Sequence, residues 1–128
     1  MNSKKPVKPT SDLKVLIVED EAAIAMLIED MFMDLGCENI YSIANLGKAL
    51  IEVEKEDFDI CLLDVNLGGQ EIYPAADILI RKEVPFLFST GYGAQGLNDK
   101  YKNFPVIQKP FMQDDLQKKL HEIMPDNF

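Results

Sequence analysis

The stretch FDICLLD, residues 58–64, decides the fold of this 128-residue chain. It is apolar at every position except Asp59 near its start and Asp64 at its end. A strand that is apolar on both faces is typical of a parallel sheet covered by helices on both sides. A carboxylate at the end of such a strand is costly unless it has partners or takes part in chemistry. The stretch therefore predicts a buried strand that brings Asp64 to a functional site.

Four other apolar runs have the length of strands, and helical patterns separate them. These runs are residues 13–18, 39–44, 84–88 and 106–107. Between the first two, apolar residues recur at the spacing of one helix face: Ile24, Leu27, Ile28, Met31 and Leu35. Strands that alternate with helices predict an α/β domain with a doubly wound, five-stranded parallel sheet and helices on both faces.

Residues 93–103 give the weakest pattern in the chain. Ala94, Leu97 and Tyr101 fit one helical face, but Gly93 and Gly96 lower the helix propensity. We expect a marginal or mobile fourth helix here, and a simple loop remains the alternative.

Polar residues follow four of the predicted strands, where a doubly wound sheet binds its ligands. They are Glu19 and Asp20, Asp64, Thr90, and Lys109. Carboxylates gathered at this edge repel one another, and Mg²⁺ relieves the repulsion because it prefers carboxylate, phosphate and water oxygens. We expect Asp20 and Asp64 to hold Mg²⁺, with Glu19 bound directly or through water and the backbone carbonyl of Asn66 completing the set.

The same edge offers the groups that phosphoryl transfer needs. A carboxylate such as Asp64 can attack a phosphoryl donor and form an aspartyl phosphate. Lys109 can neutralise charge on the phosphoryl group during transfer. The Thr90 hydroxyl can donate to a phosphoryl oxygen, and the bond between Lys109 and Pro110 is a candidate for the cis form.

Each of these residues also has a simpler interpretation. Asp20 and Glu21 suit the start of a helix, and Thr90 suits a turn. Asn66 fits the loop before Gly68. Lys109 could be a solvated surface lysine.

Composition restricts the classes of partner. The net charge of −9 and the pI near 4.5 argue against binding to nucleic acid, which needs clustered cations. No apolar run has the length of a membrane span. Cys37 and Cys61 form neither a disulfide framework nor a zinc pattern, so we expect a reducing, cytoplasmic setting. We predict a disordered tail over residues 1–11 and one domain over residues 12–128.

The chain resembles the receiver domain of bacterial two-component response regulators. Four segments carry the resemblance: VLIVEDE (15–21), LLDVNL (62–67), FSTGYG (88–93) and QKPF (108–111). The resemblance implies a flavodoxin-like sheet ordered 2-1-3-4-5. It implies that Asp64 accepts phosphate from a histidine, that Glu19, Asp20 and the Asn66 carbonyl hold Mg²⁺, and that Thr90 and Lys109 grip the phosphoryl oxygens.

The chain departs from the usual receiver pattern at three places. Glu19 stands where Asp is usual, and Gly68-Gly69 occupies a loop that usually contains Pro. Val106 replaces the usual aromatic that turns inward on activation. These features, together with Thr90-Gly91-Tyr92, resemble a subgroup with a Phe-Ala-Thr-Gly-Tyr-type motif, whose members are often stand-alone receivers served by kinases of the HWE or a related type. We hypothesise that Tyr92 or Tyr101 replaces the missing aromatic.

We expect a single-domain response regulator and not an enzyme, apart from possible self-dephosphorylation. Its partners would be a sensor histidine kinase or a histidine phosphotransfer protein, and a downstream protein; its role would be altered protein binding or carrying and draining phosphate. A haloacid-dehalogenase-type phosphatase would need Asp in place of Asn66. A flavin-binding protein would need a phosphate-cradling loop in place of residues 19–21. A receiver-fold interaction module that works without phosphorylation is the main alternative.

Overall fold

A computed structural model describes residues 7–128 as one five-stranded parallel sheet with helices on both faces. The strands are β1 (Lys14–Val18), β2 (Asn39–Ile43), β3 (Ile60–Asp64), β4 (Phe86–Thr90) and β5 (Val106–Gln108). Their order across the sheet is β2-β1-β3-β4-β5, and every neighbouring pair is parallel. The predicted doubly wound, flavodoxin-like sheet is confirmed.

Four α-helices connect and cover these strands. They are α1 (Ala22–Asp34), α2 (Leu46–Lys55), α3 (Tyr73–Arg81) and α4 (Gln113–Ile123). Helix α1 ends where Gly36 takes a φ of +102°, a conformation that favours glycine and stops the helix. Helix α2 begins at Asn45, whose side chain accepts a hydrogen bond from the Lys48 N–H at 2.9 Å.

The central strand β3 is buried on both faces, as the stretch 58–64 predicts. On one face, Ile60 and Leu62 join the core formed with α1 and α4. On the other face, Cys61 and Leu63 join the core formed with α2 and α3. Burial on both sides fixes the register of β3, so Asp64 has to emerge at its carboxyl end.

The segment 93–103 does not form the marginal α-helix expected from its sequence. It forms two 3₁₀ turns, Gly93–Gly96 and Asp99–Tyr101. Glycine and asparagine weaken helical order, and Leu97 between the turns has an extended backbone. The strongest burial in this segment is at Leu97 and Tyr101, which are 4% and 5% exposed. We call the segment Gly93 to Tyr101 the strap.

A short antiparallel hairpin follows β3 and was not predicted. It pairs Asn66–Leu67 with Gln70–Glu71 around the turn at Gly68 and Gly69. Both glycines have positive φ values, +59° and +93°, which explains the glycine pair in this loop.

The predicted disordered tail lies partly outside the described residues, which begin at Val7. In the rest of that stretch, Lys8 pairs with Asp59 at 3.1 Å, and the Thr10 hydroxyl donates to the Asn127 carbonyl at 3.0 Å. This part of the segment therefore packs against the amino-terminal side of the sheet. Across residues 7–128, none of the helices combines the length and apolar character needed to span a bilayer.

Candidate functional site

Sheet topology brings the predicted polar residues to one edge. Asp64 is the last residue of β3 and pairs in register with Ser89 of β4. Thr90 is the last residue of β4, and its carbonyl accepts from the Lys109 N–H at 2.9 Å just after β5. Glu19 follows β1, the other neighbour of β3. Four separate strands thus deliver these four side chains to the carboxyl end of the sheet.

Three carboxylates converge at this edge. Glu19, Asp20 and Asp64 each place an oxygen within 4.8 Å of the others. Glu19 and Asp64 are buried, at 3% and 6% exposure, whereas Asp20 is exposed to solvent. Acidic oxygens from a partly open site fit Mg²⁺, which keeps several water ligands beside one or two carboxylates.

Lys109 supplies the positive charge of the site. Its Nζ lies 2.8 Å from Glu19 Oε1 and 3.2 Å from Asp64 Oδ1. Burial alone would lower the pKa of Lys109, but its hydrogen bond to Glu19 and the charge of Asp64 outweigh that effect and raise it. Lys109 is therefore charged and not a free surface lysine.

Burial dominates the electrostatics of Asp64. The pKa of this carboxyl group is raised from 3.8 to about 6, chiefly by burial and also by the neighbouring Glu19 charge, while Lys109 lowers it. Because burial disfavours the charged form of Asp64, an additional positive charge nearby would stabilise the carboxylate.

Thr90 is buried, and its hydroxyl contacts the following loop. The Tyr92 N–H donates to Thr90 Oγ1 at 3.2 Å. Ser89, the preceding residue, is also buried but alternates to the other face of the strand. Thr90 thus accepts a hydrogen bond within the turn, and this bond does not use the proton of its hydroxyl group.

The loop residues around the acids have structural tasks. Asn66 Oδ1 accepts from the Gly69 N–H at 2.8 Å and closes the hairpin turn. Glu21 stands at the start of α1, but its side chain makes no capping hydrogen bond; its N–H donates to Glu19 Oε2 at 3.0 Å. This bond and Lys109 together hold both oxygens of Glu19. The Asn66 carbonyl as a metal ligand stays a prediction.

Two features of the site were not predicted. The first is that the shorter contact of Lys109 is with Glu19, 90 residues away, a pairing for which the sequence carries no local signal. The second is the close approach of Gly96 to Thr90.

The two tyrosines hypothesised to replace the missing aromatic differ in burial: Tyr92 is 79% exposed, whereas Tyr101 is buried. The Lys109–Pro110 bond is cis.

Known proteins resemble this chain in sequence. The chain matches the family described as "Response regulator receiver domain" over residues 15–121. It is 33% identical over 120 residues to the cell cycle response regulator CtrA of Brucella ovis, which covers 88% of this chain and 50% of CtrA. The chain thus spans about half the length of the curated relatives it matches.

Solved structures give the same assignment. SdrG from Sphingomonas melonis Fr1 superposes with a TM-score of 0.78 at 36% identity, over 88% of this chain and 96% of SdrG. The receiver domain of the sensor histidine kinase PA1611 from Pseudomonas aeruginosa PAO1 superposes with a TM-score of 0.77 at 25% identity, over 88% of this chain and 98% of that domain. The sequence match, the strand order and these superpositions agree, and the chain belongs to the response regulator receiver domain family of two-component systems.

Proposed function

We propose that the chain accepts a phosphoryl group on Asp64, with Mg²⁺, from a phosphorylated histidine. The phosphorylated chain then changes its binding to another protein, or it carries or drains phosphate. The observation that carries the proposal is the buried Asp64 carboxylate with Lys109 Nζ at 3.2 Å and two further acids within metal-sharing distance. A carboxylate with a purely structural role would not need a lysine and two further acids around it.

The chemistry follows from the residues that surround Asp64. A carboxylate oxygen of Asp64 attacks phosphorus, the phosphorus–nitrogen bond to the donor imidazole breaks, and the imidazole keeps the electron pair and takes a proton. Lys109 lies close enough to Asp64 to move onto a phosphoryl oxygen as charge develops there. The Thr90 hydroxyl has its own proton available for a second phosphoryl oxygen because it accepts, and does not donate, in its bond with Tyr92.

Mg²⁺ would be held by Glu19, Asp20, Asp64 and the Asn66 carbonyl. When bound, it supplies positive charge that lets phosphoryl oxygens approach three carboxylates. The spacing of the acidic oxygens supports this assignment. The PA1611 receiver domain, which was solved with a magnesium ion coordinated in its active site cleft, supports it further. Self-dephosphorylation would be the attack of water on the aspartyl phosphate at the same site.

The phosphate donor would be a sensor histidine kinase, of the HWE type, or a histidine phosphotransfer protein, which the chain would meet in the cytoplasm. The motif Phe-Ser-Thr-Gly-Tyr at residues 88–92 and Val106 in the usual aromatic position support the Phe-Ala-Thr-Gly-Tyr-type subgroup. The net charge of −9 suits a partner with a basic docking surface and not nucleic acid.

Beryllofluoride tests this function because it mimics a phosphoryl group on a carboxylate. We expect amide NMR shifts around Asp64, Thr90 and Lys109 when beryllofluoride and Mg²⁺ are added together. The control is Asp64→Asn, which keeps the size of the side chain and should give no response. A wild-type protein without any Mg²⁺-dependent response would favour the module that works without phosphorylation.

A further inference from the structure

Gly96 of the strap lies directly against the side chain of Thr90. A methyl group at Gly96 would overlap Thr90 Oγ1, and it would lie 3.2 Å from Thr90 Cγ2 and 3.1 Å from Tyr92 Cβ. The φ of Gly96 is not in the left-handed region, so the backbone itself does not require glycine here. Glycine at this position therefore leaves space for the Thr90 hydroxyl, and we call that space the seat.

The hydroxyl in the seat serves the loop and not Asp64. Its hydrogen bond comes from the Tyr92 N–H. A rotation about one side-chain bond would move the hydroxyl out of the seat and break its hydrogen bond with the Tyr92 N–H. The seat thus corresponds to the resting orientation of Thr90.

The strap is fastened immediately beyond Gly96. Leu97 is buried, and the Asn98 N–H donates to Tyr73 Oη at 2.9 Å. The Tyr101 ring stacks on Tyr73 with a centroid distance of 4.3 Å, and its hydroxyl donates to Asp77 Oδ1 at 2.6 Å. Helix α3 therefore holds the strap, and an added atom at Gly96 displaces the rotatable Thr90 hydroxyl more easily than the strap.

We propose that Gly96 is a positioning residue that leaves room for the Thr90 hydroxyl in its resting orientation, and that phosphorylation of Asp64 empties the seat and changes the strap. The inference rests on the proposed function and names its regulation. Through Thr90 and the strap, phosphorylation of Asp64 would change the protein surface without an aromatic residue at position 106. Filling the seat with a methyl group should partly mimic activation.

The first test needs no ligand. Gly96→Ala should change the three-bond couplings between the Thr90 methyl carbon and the backbone, which report its rotamer. Gly91→Ala is the matched control, because it adds the same methyl next to Thr90 where nothing lies within 4 Å. Unchanged Thr90 couplings in Gly96→Ala would overturn the inference.

A double-mutant cycle with Thr90→Ala distinguishes an effect of Gly96→Ala on Thr90 from a general disruption of the strap. Gly96→Ala should lower the urea midpoint with Thr90 present. Its effect should be clearly smaller in the Thr90→Ala background, where Thr90 Oγ1 and Cγ2 are gone and only the 3.1 Å contact with Tyr92 Cβ remains. If Gly96→Ala alone fails to fold, the double variant should fold. An equal loss in both backgrounds, or a double variant that also fails to fold, would contradict the seat.

The same cycle applies to ligand affinity. With saturating Mg²⁺, Gly96→Ala should bind beryllofluoride about 3- to 10-fold more tightly by ¹⁹F NMR, because the resting orientation is disfavoured. In the Thr90→Ala background the change should stay below about twofold. Weaker or unchanged binding in Gly96→Ala would overturn the inference. If the wild type binds no beryllofluoride, the proposed function fails, whereas the couplings and the urea cycle still decide the role of Gly96.

Discussion

Two buried carboxylates share one ammonium group in this site. Lys109 Nζ contacts Glu19 at 2.8 Å and Asp64 at 3.2 Å, so each acid receives only part of the compensation that a dedicated partner would give. Burial, together with the charge of Glu19, raises the pKa of Asp64 to about 6 even though Lys109 lies beside it. A further cation would therefore bind favourably here, and without it the incompletely compensated acids lower the stability of the folded chain.

Asp64→Asn should stabilise the protein without Mg²⁺ at pH 7. A carboxyl group whose pKa is raised by folding binds its proton more tightly in the folded state, so stability falls as the pH rises from about 4 to about 6 and stays reduced above that. The gain from Asn should be about 1–3 kcal/mol at pH 7 and vanish near pH 4. Urea unfolding in EDTA at both pH values measures it, with the exposed Asp30→Asn on α1 as control. A gain that is the same at both pH values would contradict the raised pKa.

Lys109→Met should have the opposite effect. It leaves two buried acids without their cation and should cost about 2–4 kcal/mol at pH 7 in EDTA. The cost should shrink towards pH 5, because Asp64 loses the charge that lowers its pKa and takes up a proton more readily. Lys118→Met, on the exposed face of α4, is the control for urea unfolding. A cost no larger than that of the control would show that the ion pairs are not formed in solution.

At the scale of elements, the strap is the part of the fold that most limits prediction. Strands β1 and β3 follow from uninterrupted apolar runs, and α1 follows from helical spacing. Residues 93–103 contain only three apolar residues, of which Leu97 and Tyr101 are buried. Asn98 and Tyr101 are held by Tyr73, which lies more than twenty residues earlier. Contacts of that kind leave no periodicity in the sequence.

Tyr101→Phe tests how the strap is fastened. Burial raises the pKa of Tyr101 to about 12, so its hydroxyl keeps its proton and donates to Asp77. Loss of this bond should cost about 1 kcal/mol in urea unfolding and speed amide exchange at Leu97. Tyr92→Phe removes the same atom from a ring that is 79% exposed and should change stability by less than about 0.5 kcal/mol. Equal effects of the two substitutions would contradict the anchoring role of Tyr101.

At the scale of the whole molecule, the sheet order makes the site. The order β2-β1-β3-β4-β5 places the end of β3 between β1 and β4, so Asp64 meets Glu19 on one side and Thr90 on the other. The residues that end the strands could be identified from the sequence because each follows an apolar run. The contacts that these residues make could not be identified in this way, because the Glu19–Lys109 contact and the Gly96–Thr90 contact depend on packing between different segments of the chain.

Mg²⁺ should stabilise the folded chain as a whole. A cation that binds only the folded state adds about 2.7 kcal/mol when its concentration is a hundred times its Kd. We expect the thermal midpoint to rise with Mg²⁺ in the wild type and much less in Asp64→Asn, with Asp30→Asn behaving as the wild type. An equal rise in all three proteins would place the cation elsewhere.

The most direct test of the account is phosphoryl transfer to Asp64 itself. The chain is incubated with phosphoramidate, a small donor with a phosphorus–nitrogen bond, and its intact mass is measured with and without Mg²⁺. We predict the addition of one phosphoryl group in the presence of Mg²⁺, none in EDTA and none in Asp64→Asn. Unmodified wild-type protein, or equal labelling of Asp64→Asn, would contradict Asp64 as the phosphoacceptor.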